Sequence, residues 1–348
     1  MPGDPDWRHD PLTGRRVLIS PVRGERPRHS GPACPFCEGH EAETPSEVLA
    51  FREAASKPNG PGWRVRVVPN RYAAVRMDLL PPLRFGKGGR GGEVCGEQAQ
   101  DPSPQPPPRS GEGEKLPGVG VAEVFLECPQ HETRFRNLPL DHAAEVIRAW
   151  RERLRYWRDD GRLAFAQFFK NEGPMAGASV EHCHSQLIGL DFVPPQILDE
   201  LPRSSANGEC LHCRWLERKT YFVMESNEFV VLCPSAPRFP GETWILPRRH
   251  EAAFESLADD SVQELASVLK NLLDRIGRVF NDPDFNLIVK SAPFRYSGSY
   301  HWRIEVVPRP NVTAGFEWGT GLIINTMLPE RAADLLCLAF EPTARTRD

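Results

Sequence analysis

The sequence predicts a duplicated α+β fold: two halves, 1–197 and 198–348, each an antiparallel sheet with one long helix and a knuckle of paired thiols. Three observations predict it. Two Cys-x-x-Cys pairs, Cys34/Cys37 and Cys210/Cys213, each precede a run of short, β-branched segments. Each run leads to one stretch of helical periodicity and then to two further apolar segments. A histidine follows the early strands of each half (His131, His250) and another stands at the last strand (His182, His301), so thiols and imidazoles recur in one order.

The totals agree with a globular chain. A length of 348 residues suffices for two domains or one large duplicated one, and 40% hydrophobic with 26% charged residues is ordinary for a globular protein. A net charge of −4 supplies no basic field for nucleic acid or anionic membrane, so neither is expected as a partner. No apolar run approaches the roughly 20 residues of a spanning helix, and residues 1–10 lack a signal-peptide core. Nine cysteines, an odd count without a secretion signal, point to metal binding over a disulfide framework and to a reducing cytoplasm as the expected compartment.

In the first half, 11–14 reads as a turn and 16–20 as a short strand. Arg23 and Arg26 follow as exposed cations whose forked donors suit phosphate. Cys34-Pro35-Phe36-Cys37 forms the first knuckle, and 63–68 is an alternating strand ending at Pro69-Asn70-Arg71-Tyr72. Residues 86–118, Gly-rich and then Pro-rich, cannot bury enough apolar surface to order themselves and read as a mobile insertion. A strand at 121–127 precedes His131, a helix is expected over 138–154 with Asp141 at its start, and 163–170 is a buried strand. The second half repeats the order, with strands at 221–224, 229–233 and 242–246, a helix at 261–280, and strands at 285–290 and 301–306.

The chemistry concentrates in Ala178-Ser179-Val180-Glu181-His182-Cys183-His184-Ser185-Gln186. On a strand His182, His184 and Gln186 would share one face, beside a loop containing Gly173, Gly177 and Ser179. Superimposing the halves gives each a Cys₂His₂ set: Cys34, Cys37, His131 and His182, then Cys210, Cys213, His250 and His301. Mixed sulfur and nitrogen donors suit Zn²⁺, so two structural zinc sites are expected, each closed by four protein ligands. His184 and Gln186 align instead with Arg303 and Glu305, so metal binding is duplicated and the second imidazole is not. A neutral imidazole can attack phosphorus to form a phosphoramidate, while Gln186 and Ser179 donate to non-bridging oxygens.

These residues resemble the galactose-1-phosphate uridylyltransferase branch of the histidine-triad superfamily over nearly the whole chain. The matching stretches are Asp10-Pro11-Leu12-Thr13-Gly14, Ile19-Ser20-Pro21, Cys34-Pro35-Phe36-Cys37, Val68-Pro69-Asn70, Asn171, Gly177-Ala178-Ser179, His182-x-His184-x-Gln186, and 315–321 with Asn325. The resemblance implies paired histidine-triad-like halves sharing a sheet, a homodimer, and ping-pong nucleotidyl transfer from a nucleotide sugar to a sugar phosphate through His184. It also implies phosphate contacts from Arg23, Arg26, Asn171, Ser179 and Gln186, and a nucleoside contact from Asn70. The sequence departs from the best-known members in Cys183 where they carry proline, in Phe316 where they carry tyrosine, and in having no glutamine in 319–326. The run at 315–321 looks closer to relatives that include an ADP-glucose phosphorylase, in which inorganic phosphate accepts the nucleotide. Uridylyl transfer to a hexose 1-phosphate is the first reading, ADP-sugar phosphorolysis the alternative, and a non-catalytic zinc-ribbon module or a nucleotide hydrolase the readings from outside that chemistry.

Overall fold

The computed structural model describes residues 4–10, 12–26, 34–79, 115–206 and 208–339. In chain order the strands are β1 (Asp6–His9), β2 (Arg16–Ile19), β3 (Leu49–Arg52), β4 (Trp63–Pro69), β5 (Lys115–Pro117), β6 (Gly120–Leu126), β7 (Phe165–Glu172) and β8 (His184–Leu190). They continue with the two-residue β9 (Ser205–Ala206) and β10 (Glu209–Cys210), then β11 (Phe222–Glu225), β12 (Phe229–Leu232), β13 (Thr243–Pro247), β14 (Phe285–Lys290) and β15 (Arg303–Pro308). The helices are α1 (Leu140–Asp160), α2 (Pro195–Glu200), α3 (Leu211–Arg218), α4 (Asp259–Phe280), α5 (Gly315–Thr320) and α6 (Pro329–Leu338).

One ten-stranded sheet runs through both halves in the order β11-β12-β13-β15-β14-β7-β8-β6-β4-β3. From either edge the sequence of elements is the same: β3, β4, β6, β8, β7 mirror β11, β12, β13, β15, β14. The halves meet where β7 and β14 pair antiparallel, with Asn171 opposite Asn286 and Phe169 opposite Ile288. The division at 197/198 suggested by the sequence falls inside α2.

The two long helices pack on one another and cover one face of this sheet. Val146, Ile147, Trp150 and Leu154 of α1 join Leu265, Leu269, Leu272 and Ile276 of α4 in one core with Phe125, Phe168, Leu187, Val231 and Ile304 from the strands. Each such side chain taken out of water contributes about 1.5–3 kcal/mol, which makes this shared core the main support of the fold. Helix α1 runs to Asp160, beyond the expected end at 154, because Trp157 still faces the core. It stops at Gly161, whose φ of 78° is the left-handed cap conformation that glycine adopts without penalty.

Other expectations are corrected in detail. The insertion expected at 86–118 lies outside the described residues as far as 114, but Lys115–Pro117 is ordered as β5, where Leu116 pairs with Trp7 of β1. The final strand begins at Arg303, so His301 precedes it, and likewise β8 begins at His184. His182 therefore does not share a strand face with His184 and Gln186. Backbone bonds explain this: Cys183 N–H donates to Glu132 O at 2.7 Å, outside the sheet ladder, and turns His182 away towards the knuckle.

Candidate functional site

Two Cys₂His₂ groups that could each hold a metal ion form as the duplication requires. In the first, His182 Nδ1 lies 3.6 Å from Cys34 Sγ and 3.5 Å from Cys37 Sγ, and His131 Nδ1 lies 3.5 Å from Cys37 Sγ. In the second, His301 Nδ1 lies 3.7 Å from Cys210 Sγ and 3.6 Å from Cys213 Sγ, with His250 Nδ1 3.4 Å from Cys213 Sγ. All four ligand atoms of each group fall within 4.8 Å of one another. A tetrahedral ion with M–S near 2.3 Å and M–N near 2.05 Å would separate sulfur from nitrogen by about 3.55 Å, so the donors fit such an ion.

The outer hydrogen bonds match as well. His182 Nε2 donates to Cys128 O and His301 Nε2 to Pro247 O, both at 2.9 Å. A carbonyl only accepts, so the proton sits on Nε2 and Nδ1 turns its lone pair to the thiols. Burial holds both rings neutral, with pKa values lowered to about 4. Burial pushes the Cys37 and Cys213 thiols up to about 11, and a bound cation reverses that order by favouring thiolate. The two knuckles differ locally: the first is a turn closed by Cys37 N–H to Cys34 O at 3.2 Å, whereas α3 begins inside the second.

His184 stands at the start of β8, opposite Leu126 of β6. Its Nδ1 donates to His182 O at 2.8 Å, which leaves the lone pair on Nε2. The ring is only 6% exposed as part of the folded chain, and burial, aided by the nearby Lys170 charge, lowers its pKa to about 4. It is therefore a neutral base at neutral pH, with one defined tautomer.

His184 lines a cavity of about 490 Å³ together with Arg26, Asn70, Ser179 and Gln186. Five of the sequence-derived site residues thus converge. Arg23 and Asn171 stay outside the lining: Arg23 Nη1 reaches Tyr72 O at 3.5 Å, and the Asn171 side chain accepts from Asn286 Nδ2 at 2.8 Å. Neither Arg23 nor Arg26 is an exposed cation as expected, since both are half-buried. Desolvation, followed by repulsion from Arg26, holds the Arg23 guanidinium below its usual pKa.

Phe36, Thr44, Pro45, Arg71 and Tyr72 also line the cavity, none of them a residue whose type and spacing point to chemistry in the sequence. Phe36 matters because it belongs to the knuckle and stands edge-on to His184 at 5.5 Å and to His182 at 6.1 Å. It thus joins the first Cys₂His₂ group to the wall of the cavity. The loop after β7 passes through Gly173 (φ 87°) and Gly177 (φ 86°). A Cβ on Gly173 would run into the Asp284 carboxylate, which accepts Met175 N–H at 2.7 Å, so the loop that presents Ser179 needs glycine there.

The corresponding place in the second half is filled by charge. Arg303 and Glu305 stand where His184 and Gln186 stand in the first, and both are buried. Arg303 bonds Glu305 at 2.6 Å and Glu200 at 2.9 Å, while Arg238 bridges Glu305 at 2.6 Å and Glu242 at 2.7 Å. Lys290 and the Tyr300 hydroxyl complete the shell of Glu200, each at 2.7 Å.

Fold and site define the class: the chain is a duplicated α+β protein with a Cys₂His₂ group in each half and one unmatched histidine beside a cavity. Within it, the chain belongs to the family of galactose-1-phosphate uridylyltransferases and ADP-glucose phosphorylases. It is 30% identical to an ADP-glucose phosphorylase of Arabidopsis thaliana, over 95% of this chain and 92% of that one. It is 25% identical to a galactose-1-phosphate uridylyltransferase of Thermotoga maritima, over 94% and 96%. A family model described as a domain of unknown function, DUF4921, matches residues 141–347. Among solved structures, the Arabidopsis thaliana ADP-glucose phosphorylase with bound ADP-glucose superimposes with a TM-score of 0.72, at 29% identity over 96% of this chain and 98% of that one. A uridylyltransferase superimposes at 0.74, with 28% identity and the same coverage. Among the described residues no helix is long and apolar enough to cross a membrane.

Proposed function

We propose that the chain transfers the nucleotidyl group of a nucleoside-diphosphate hexose to a phosphate-bearing acceptor through a covalent intermediate on His184. The observation that carries this is the bond from His184 Nδ1 to His182 O, which leaves a buried neutral imidazole with its Nε2 lone pair beside a cavity rimmed by Arg26, Ser179 and Gln186. Nε2 attacks the α-phosphorus, the bond to the departing hexose 1-phosphate oxygen breaks, and a phosphoramidate forms. An acceptor phosphate oxygen then attacks the same phosphorus, and the imidazole leaves as it arrived. Arg26 neutralises developing negative charge, and Ser179 and Gln186 donate hydrogen bonds to the non-bridging oxygens. We take the two metal groups to be zinc sites; bound, each ion supplies a rigid cross-link, its four protein ligands leaving no position for substrate.

Two acceptors fit this chemistry, a hexose 1-phosphate or inorganic phosphate. The second is favoured by the 30% identity to an ADP-glucose phosphorylase across nearly the whole chain, and by Phe316 and the absence of glutamine in 319–326. We further take the protein to be a homodimer in a cytoplasmic setting. What supports the dimer is that Val312, Phe316, Trp318, Leu322, Ile324 and Leu328 are exposed along one short stretch, apolar groups that a second copy would cover.

The test is rapid quenching after mixing with labelled ADP-glucose or UDP-glucose, without acceptor. The expected result is an acid-labile, base-stable adduct on His184, absent from His184→Ala, which should keep both metals. Discharge of the adduct by phosphate but not by galactose 1-phosphate would select the phosphorylase. No adduct with any nucleotide sugar would refute the proposal.

A further inference from the structure

Behind the nucleophile lies a group of buried polar side chains that the transfer step does not itself use. Lys170, Glu127 and Cys183 are 1%, 0% and 2% exposed. Lys170 shares its face of β7 with Ala166 and Phe168, which lie in the core beneath the helices. Its ammonium donates to Glu127 Oε2 at 2.8 Å, to Cys183 Sγ at 3.2 Å and to the main-chain oxygen of His184 at 3.1 Å, three acceptors for three N–H groups. Cys183 Sγ–H donates in turn to Glu127 Oε2 at 2.8 Å. The Glu127 main chain is anchored too, its oxygen accepting from His142 Nε2 on α1 at 2.6 Å.

The duplication provides an internal comparison. Phe169 pairs with Gln186 as Ile288 pairs with Glu305, so Lys170 corresponds to Val289. Cys183, next to His182, corresponds to Trp302, next to His301. Glu127 corresponds to Pro247 by strand register, or to Leu246 if the carbonyls that accept from His182 and His301 are aligned. In each case an apolar residue takes the place of the polar one. The second half therefore builds the same strands around the same Cys₂His₂ donors without any of the three.

Neither the fold nor the metal group requires the cluster, and burying an ion pair costs more desolvation than an apolar pair of the same size. What the first half has and the second lacks is the nucleophile. We propose that Lys170 and Glu127 are positioning residues that fix the peptide joining the metal ligand His182 to the nucleophile His184, a role that rests on the transfer reaction proposed above. Lys170 holds the main chain of His184 itself, and Glu127 ties Lys170 and Cys183 to the α1 side of the sheet. The imidazole is thereby constrained from both sides, by His182 O at its Nδ1 and by Lys170 at its backbone. Displacement of a reacting atom by about 1 Å can cost on the order of 10²-fold in rate.

The test is the double variant Lys170→Met/Glu127→Leu, which removes this ion pair as a unit; Glu172, 3.5 Å from Lys170, keeps Arg134 at 3.6 Å and the Phe135 N–H at 2.9 Å. Single-turnover adduct formation, KM, kcat, metal content and thermal midpoint are measured on the full chain. The expected result is two metals retained, KM within about threefold of the parent, and adduct formation slower by roughly 10²-fold. Lys170→Arg, which keeps the charge but displaces the donor, should fold in any case and lower kcat with little change in KM. An unchanged rate in either folded, metal-loaded variant overturns the positioning role alone. So does a rate loss that only tracks loss of metal. Failure of the parent protein to form any adduct on His184 overturns the transfer reading, and this role with it.

Discussion

The burial of His184 makes a quantitative demand on the pH dependence of transfer. An ordinary imidazole titrates near pH 6.5, so between pH 7.5 and pH 5 its neutral fraction would fall about 30-fold. For His184, lowered to about 4 by burial, about 90% remains neutral at pH 5. Single-turnover adduct formation at saturating nucleotide sugar should therefore be nearly flat from pH 8 to 5, and half-lost only near pH 4. The sign for stability is the same. Because the folded pKa lies below the unfolded one, the neutral ring's contribution is complete above about pH 6.5. It is lost as pH falls towards about 4, and the loss by then amounts to roughly 3 kcal/mol. Metal content is followed at each pH, since thiolate ligands also take up protons. A 30-fold fall in rate between pH 7.5 and 5, with both metals still bound, would refute the argument that the pocket keeps this imidazole neutral.

Other outcomes follow from the geometry. Cys34→Ser and Cys210→Ser should each release one of two metals and lower the melting temperature, but Cys34→Ser should lose far more transfer activity because only its group adjoins His184; metal analysis and burst kinetics separate the two. Arg26→Ala should raise KM for the nucleotide sugar about 10- to 100-fold, the range of a lost charge-assisted hydrogen bond, with both metals retained. Trp318→Glu, at the most exposed aromatic of the apolar stretch, should shift the sedimentation coefficient from dimer to monomer at micromolar concentration. An unchanged dimeric coefficient would refute this stretch as the contact, and a monomeric parent would refute the dimer.

The sequence made the periodic and repeated features legible. Most strands of the large sheet, the two long helices and both Cys₂His₂ groups were readable because hydrophobic period and ligand order survive duplication, whereas β1, β3 and β5 carry too short a pattern. What could not be read was set by partners distant in the chain. Lys170 looks like the end of a buried strand until Glu127 and Cys183 are brought against it. Thr44 and Pro45 reach the cavity from a loop with no periodic signal of its own. His182 does not share the face of His184 and Gln186 because alternation holds only within a ladder. The Cys183 N–H bonds Glu132, outside it, and His182 turns to the thiols.

The ion-pair network of the second half resists a second nucleophile. Replacing Arg303 by histidine, the single exchange that would put an imidazole at the position matching His184, withdraws the cation shared by Glu200 and Glu305. Lys290 would remain to Glu200 and Arg238 to Glu305, but breaking a buried pair from one side costs about 3–5 kcal/mol. Much of the stability of a typical domain would be lost before any activity appeared there. A working imidazole in the second half would need several exchanges made together, so electrostatics keeps the chemistry in one half.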